Sequence, residues 1–222
     1  MWSDEFNGDS LNRADWNVET HEKGWVNNEL QEYVDSAENI QVKDGKLIIN
    51  PVKKVTDGDT GSTKEAASYT SGRVSTQNKQ TFIYGRFECR AKVPKGQGYL
   101  PAFWLMANDE NVYGQWPRCG EIDCMEVMGQ ETNKAYGTIH YGNPHSESQG
   151  TYTIKGGADF SDDFHTFTCD WEPGKITWYV DGVKYHEESD WHSTTVGQGT
   201  LSIANHETCN CSTGNFHICR FM

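Results

Sequence analysis

An all-β sandwich or barrel is the fold class this sequence predicts. Short runs rich in β-branched and aromatic residues recur about every ten positions, turn residues separate them, and no run of helical period interrupts the series. A third observation is the frequency of turn pairs such as Asp44-Gly45, Pro173-Gly174 and Asp181-Gly182, which close hairpins.

Taken in order, Asn39 to Val42 and Lys46 to Asn50 read as a hairpin turned at Asp44-Gly45. Residues 55 to 68 are polar and rich in Asp, Gly, Ser and Thr, and read as a surface loop. Phe82 to Val93 alternates well enough for a long strand that ends at Pro94. Leu100 to Met106 is continuously apolar, which fits a strand covered on both faces. Phe164 to Trp171, Ile176 to Val180 and Val183 to His186 form a ladder of hairpins. With 222 residues, 35% of them hydrophobic, and no repeat or linker, residues 1–222 are expected to form a single domain around a substantial core.

Nineteen basic residues against 32 acidic ones give a net charge of −13, which argues against nucleic acid or an anionic membrane as partner. No apolar run reaches the roughly 18 residues of a membrane span. The opening Met1-Trp2-Ser3-Asp4 shows no charged and apolar leader, so any signal peptide is absent or removed. The seven cysteines are odd in number and irregular in spacing, unlike a disulfide framework. Cys89, Cys124 and Cys169 lie in apolar strand-like stretches and are expected to pack as small hydrophobes. Cys209, Cys211 and Cys219 with His206 and His217 match none of the common zinc spacings.

The stretch from Trp116 to Gly129 stands apart. Glu121, Asp123 and Glu126 fall within six positions of a run otherwise made of Ile, Cys, Met and Val. Burying three carboxylates on one apolar strand is costly, because each loses hydration and is pushed toward its neutral form. Side chains alternate along a strand, so Glu121 and Asp123 share a face, about 7 Å apart. Glu126 would face the other way unless a β-bulge near Cys124 to Met125 restores the parity, and bulges favour the surroundings of active sites. Carboxyl groups gathered in this way point to hydrolysis of a glycosidic bond, which commonly needs one ionised and one protonated group.

Glu121-Ile122-Asp123-Cys124-Met125-Glu126, preceded by Trp116-Pro117 and Gly120, resembles the signature of glycoside hydrolase family 16 in its bulged, laminarinase-type form. Asp4 to Gly8, Trp25 to Gln31, Ser71 to Arg73, Tyr84 to Glu88, Pro101 to Leu105, Gly137 to Tyr141 and Trp178 to Gly182 agree with it in order. The resemblance covers residues 2 to 190. It implies a jelly-roll β-sandwich of two curved antiparallel sheets with a concave cleft. It also implies a retaining endo-β-glucanase acting on β-1,3 or mixed β-1,3/1,4-glucan. By position, Glu121 is expected to be the nucleophile, Glu126 the general acid/base and Asp123 the assisting carboxylate.

The same positions make Trp104 and Trp116 the expected walls of the sugar subsites, with flat faces for stacking and indole N–H groups for hydroxyls. His140 is expected near Glu126, where a donor would tune it. Arg73, through its forked donors, and Asn28 are expected to bind hydroxyls, and Trp25 to form a further subsite wall. No cofactor is required. A structural calcium on the convex face would use Glu5 and the Gly45 carbonyl. The β-glucan is the expected partner, met outside the cell by a monomer. Residues 192–222 depart from the family pattern, and only Leu201 to Ala204 is expected to form a short strand there. The alternative of another class is a non-catalytic glucan-binding module on the same fold.

Overall fold

The computed structural model describes residues 1–54, 68–195, 199–202 and 216–219, with backbone alone for 193–195 and the last two segments. It divides into two compact units, Met1–Lys79 and Gln80–Cys219. Apart from one helical turn, the described residues form strands and loops, so the all-β class is realised. No helix among them is long and apolar enough to cross a membrane.

The first unit holds β1 (Asn17–Val18), β2 (Gln31–Tyr33), β3 (Ile40–Val42), β4 (Leu47–Ile49), β5 (Val52–Lys54), β6 (Ser68–Ser71) and β7 (Val74–Ser75). β1 pairs with β7, β6 lies between β2 and β5, and β3 and β4 form the expected hairpin. Its turn follows from Asp44 (φ 53°) and Gly45 (φ 66°), left-handed positions that these two residue types tolerate and that match the strand twist. The loop expected over 55 to 68 falls outside the described residues except at Ser68, where β6 begins.

The second unit contains β8 (Gly85–Ala91), β9 (Ala102–Ala107), the short α1 (Glu110–Tyr113), β10 (Glu121–Glu126), β11 (Lys134–Tyr141) and β12 (Ser146–Thr153). It continues with β13 (His165–Glu172), β14 (Lys175–Val180), β15 (Val183–Glu188), β16 (His192–Thr195), β17 (Gly199–Ser202) and β18 (Phe216–Cys219). One sheet runs β18-β9-β10-β11-β12, a second runs β15-β14-β13-β8, and β16 pairs with β17. All these pairings are antiparallel.

The two larger sheets stack face to face over Ile122, Met125, Ile139, Phe167, Cys169, Ile176 and Trp178, all at 0% exposure. Gly137 and Gly150 sit opposite each other on β11 and β12 and let the second sheet approach. A Cβ on Gly137 would lie 2.4 Å from Trp178, and one on Gly150 2.3 Å from His186, both far inside contact distance. The Trp178 indole N–H donates to the Asp123 carbonyl at 2.8 Å, tying the second sheet to β10 beneath the carboxylates.

Two sequence expectations are corrected here, and one strand appears for which no expectation stood. The long strand begins at Gly85 instead of Phe82, because Tyr84 (φ 61°) and Gly85 (φ 133°) break the extended backbone. β12, whose run Ser-Glu-Ser-Gln-Gly-Thr-Tyr-Thr lacks apolar alternation, is a full eight-residue strand along β11. Residues 192–222 contribute three strand segments, not one: β17 overlaps the expected Leu201 to Ala204, and β18 pairs with β9. Cys89, Cys119, Cys124 and Cys169 are free thiols, the last three buried, as small apolar side chains would be. Cys209, Cys211 and His206 fall outside the described residues, and of Cys219 and His217 only the backbone is described.

Candidate active site

β10 is bulged where the parity argument requires it. Asp123 pairs with Trp104, Met125 with Phe103 and Glu126 with Ala102, so Cys124 is the extra residue. On the other side the register with β11 shifts between Asp123 and Glu126 as well. Cys124 and Met125 are therefore consecutive residues turned into the core, exposed by only 1% and 0%. Glu121, Asp123 and Glu126 are returned to one face, opposite the core. Neighbouring strands add Met106, Trp104 and Ala102 from β9, and His140, Thr138 and Tyr136 from β11, by register.

Trp116 reaches this face from the loop between α1 and β10. Its backbone N–H donates to Glu110 at 2.8 Å, and Gly120 (φ 81°) turns the chain into β10. The Trp116 indole N–H donates to Glu121 at 2.5 Å. The expected N–H for a sugar hydroxyl is thus engaged by the carboxylate, while the residue as a whole remains 46% exposed. Trp104 stands opposite Asp123 but is nearly buried at 9%, packed with Ala102 and Met106. His140 lies opposite Glu121 on β11, with Nε2 3.2 Å from Asp123 Oδ2. His140 was expected near Glu126, and the carboxyl group it meets at this distance is the middle one.

Burial dominates the electrostatics. It pushes Glu121 up to about 8, with the Asp123 charge adding to the rise and His140 and Trp116 opposing it. Asp123 is 2% exposed, and burial, then the Glu126 charge, lifts it well above the carboxylate range, while a hydrogen bond with Glu121 pulls the other way. Burial and mutual repulsion therefore disfavour ionising Glu121 and Asp123 together.

A stability prediction follows. For Glu121 the folded value is raised above the ordinary 4.5, so between 4.5 and about 8 the folded state holds a proton that the unfolded state has lost. Stability must then fall as pH rises through that window, with a slope of up to about 1.4 kcal/mol per pH unit for each such group. Denaturant unfolding at about pH 5 and about pH 8 should show a smaller loss in Glu121→Gln than in the parent chain. Equal losses would contradict the assigned electrostatics.

In the first unit, Arg73 and Trp25 are brought together, but not as expected. Arg73 is 6% exposed, its Nε donates to Glu19 at 2.5 Å, and its guanidinium lies 5.1 Å over the Trp25 ring. Burial would raise Glu19, yet the Arg73 charge with bonds from Ser75, Arg73 and His21 holds it below its ordinary value. Arg73 thus joins a local network with Glu19 beside Trp25, which also stacks on His21 at 3.5 Å and stays 47% exposed. Asn28 is exposed in the adjoining turn, with Asn27 and Asn28 both left-handed (φ 52° and 53°) and the Glu29 N–H donating to Val26 at 3.0 Å.

For calcium, Gly45 and the Glu5 carbonyl are neighbours, with 3.9 Å between that oxygen and a Cβ built on Gly45. A calcium ion takes six to eight oxygens. Sequence reasoning also missed Glu110, which holds the Trp116 loop, and His145 and Glu147, which flank His140. Glu147 becomes legible only once β12 is recognised, because it then stands opposite His140.

Carboxyl groups gathered on one strand face, one of them beside an exposed indole, are the equipment of a glycoside hydrolase. The chain belongs to the Glycosyl hydrolases family 16, whose model matches residues 27–205. It is 44% identical over 192 residues to a glucan endo-1,3-beta-glucosidase of Cryptopygus antarcticus, covering 85% of this chain and 68% of that protein. Glucan endo-1,3-beta-glucosidase A1 of Niallia circulans is 39% identical over 209 residues, 87% of this chain but only 30% of that longer protein. The structure overlays the endo-beta-1,3-glucanase of Pyrococcus furiosus with a TM-score of 0.75 and 34% identity, covering 99% of this chain and 81% of that one.

Proposed function

We propose that this chain is a retaining endo-β-glucanase that hydrolyses internal β-1,3 linkages of laminarin-type glucan or of mixed-linkage β-1,3/1,4-glucan. The observation that carries the reading is the bulge at Cys124, which sets Glu121, Asp123 and Glu126 on one face of β10. The family and the endo-1,3-glucanase relatives support the substrate class. The jelly-roll sandwich with a concave cleft, action as a monomer and a place outside the cell, where a polymer is met, belong to the same proposal.

Glu126 protonates the glycosidic oxygen as the bond breaks, and Glu121 attacks the anomeric carbon to form a glycosyl-enzyme. Water then attacks that carbon, with Glu126 accepting its proton, and the configuration is retained. Asp123, buried and hydrogen-bonded to Glu121, is the group best able to hold a proton beside the nucleophile. With that proton in place its charge no longer opposes ionisation of Glu121, which keeps the Trp116 indole N–H as a donor. The exposed face of Trp116 offers a stacking surface for a sugar ring. These steps are carried by side chains and require no cofactor.

Reducing-sugar release from laminarin, lichenan and carboxymethyl-cellulose, with Glu126→Gln as blank, tests the reading. Release from laminarin and lichenan but not from the cellulose derivative is expected. A well-folded chain that binds glucan and releases nothing from any of the three would establish the binding module instead.

A further inference from the structure

The adjoining ends of β11 and β12, with the turn between them, carry a second cluster that the hydrolytic mechanism does not use. His140 Nδ1 lies 3.0 Å from His145 Nε2 and 3.3 Å from Glu147 Oε2, and the last two atoms are 3.9 Å apart. Zinc binds imidazole nitrogen and carboxylate oxygen at about 2.0–2.2 Å, so two ligands at a tetrahedral angle lie about 3.3–3.5 Å apart. The three separations straddle that value. One atom from each side chain can therefore reach a common centre with small side-chain adjustments.

The supports are those of a built site. His140 and Glu147 are cross-strand partners on β11 and β12, and His145 directly precedes β12. The other ring nitrogen of His140 lies 3.2 Å from Asp123 Oδ2, a close contact without hydrogen-bond geometry that sets the cluster beside the catalytic strand. His145 and Glu147 keep 39% and 51% of their side-chain surface, which leaves an entry path and an open fourth position. Two imidazoles and one carboxylate suit zinc, copper(II) or nickel, not calcium or magnesium.

We propose that His140, His145 and Glu147 form a three-ligand site for a borderline divalent cation such as Zn2+, coupled to the catalytic strand through the contact between His140 and Asp123. Occupancy fixes the His140 ring and places a double positive charge next to the carboxyl groups of β10, so the metal acts as an inhibitor of hydrolysis. The site is separate from the steps proposed for glucan cleavage, and its binding is measurable whether or not that reading holds.

The test is titration of the chelator-stripped full chain with zinc chloride by calorimetry, with cobalt(II) absorption as a second signal. One saturable equivalent is expected, together with the visible bands of tetrahedral cobalt. His145→Ala and Glu147→Gln should each weaken binding by more than the roughly 10–100-fold that an outer-shell partner is worth. Zinc should also slow laminarin hydrolysis less in the two ligand variants, each measured against its own zinc-free rate. Both changed side chains are partly exposed, and a melting curve by circular dichroism verifies folding. If His145→Ala fails to fold, the near-isosteric Glu147→Gln carries the test alone. Absence of a saturable equivalent, or undiminished zinc and cobalt signals in the folded variants, would overturn the proposal.

Discussion

Glu121→Gln is expected to lose laminarin hydrolysis by roughly 10⁴-fold or more in kcat. The amide preserves the shape of the side chain and can still accept the Trp116 indole N–H, but it cannot form the glycosyl ester. Folding should survive, because the substitution removes one of the two carboxyl groups, Glu121 and Asp123, that burial and neighbouring charge hold in an unfavourable state. Initial-rate measurement on laminarin with a melting curve in parallel checks both points. Residual activity within tenfold of the parent would remove Glu121 from the nucleophile's role.

The second large effect separates the two glutamates by substrate. Glu126→Ala should lower kcat/KM on laminarin by about 10²–10⁴-fold, the span usual for a lost general acid. On a β-glucan oligosaccharide carrying a dinitrophenyl leaving group, bond cleavage needs little protonation, so the first step should stay close to the parent rate. Turnover there becomes limited by the second step, and azide, which needs no general base, should restore it and yield the β-glycosyl azide. The same treatment should not restore Glu121→Gln to a retained product. Equal losses on both substrates, with no azide effect, would contradict the assignment of Glu126.

Both variants test a strand whose essentials were legible in the sequence. The five-residue offset from Glu121 to Glu126 conflicts with strand alternation, and the conflict itself locates the bulge at Cys124 and Met125. Asp44-Gly45 and Asp181-Gly182 were readable because left-handed backbone leaves few choices of residue, and both pairs adopt it. Less legible was anything set by tertiary neighbours. β12 carries almost no apolar signal, and it becomes a strand through β11 at its side and the closeness of His186 to Gly150. With β12 unread, Glu147 could not be placed opposite His140, nor the cluster with His145 foreseen.

Arg73 illustrates a different limit. Its forked donors were a sound reason to expect hydroxyl binding, but the sequence does not show that Glu19 waits fifty-four positions away to accept from it. For β18, the clustering of Cys, Asn and His drew attention away from the Phe216-His217-Ile218-Cys219 run, which pairs along β9. Trp116 was expected as a sugar-subsite wall, and the destination of its indole N–H depends on the Glu110 contact that aims the loop.

The central claim is that Glu121 and Glu126 cleave β-glucan by double displacement, and the configuration of the first product tests it most directly. Proton NMR of a laminarin digest, recorded within the first minutes and before mutarotation, resolves the anomeric protons of new reducing ends. The account predicts that the β-anomer appears first and the α-anomer grows in later. The α-anomer appearing first would exclude the glycosyl-enzyme on Glu121, and the absence of new reducing ends from a folded chain would exclude the hydrolase itself.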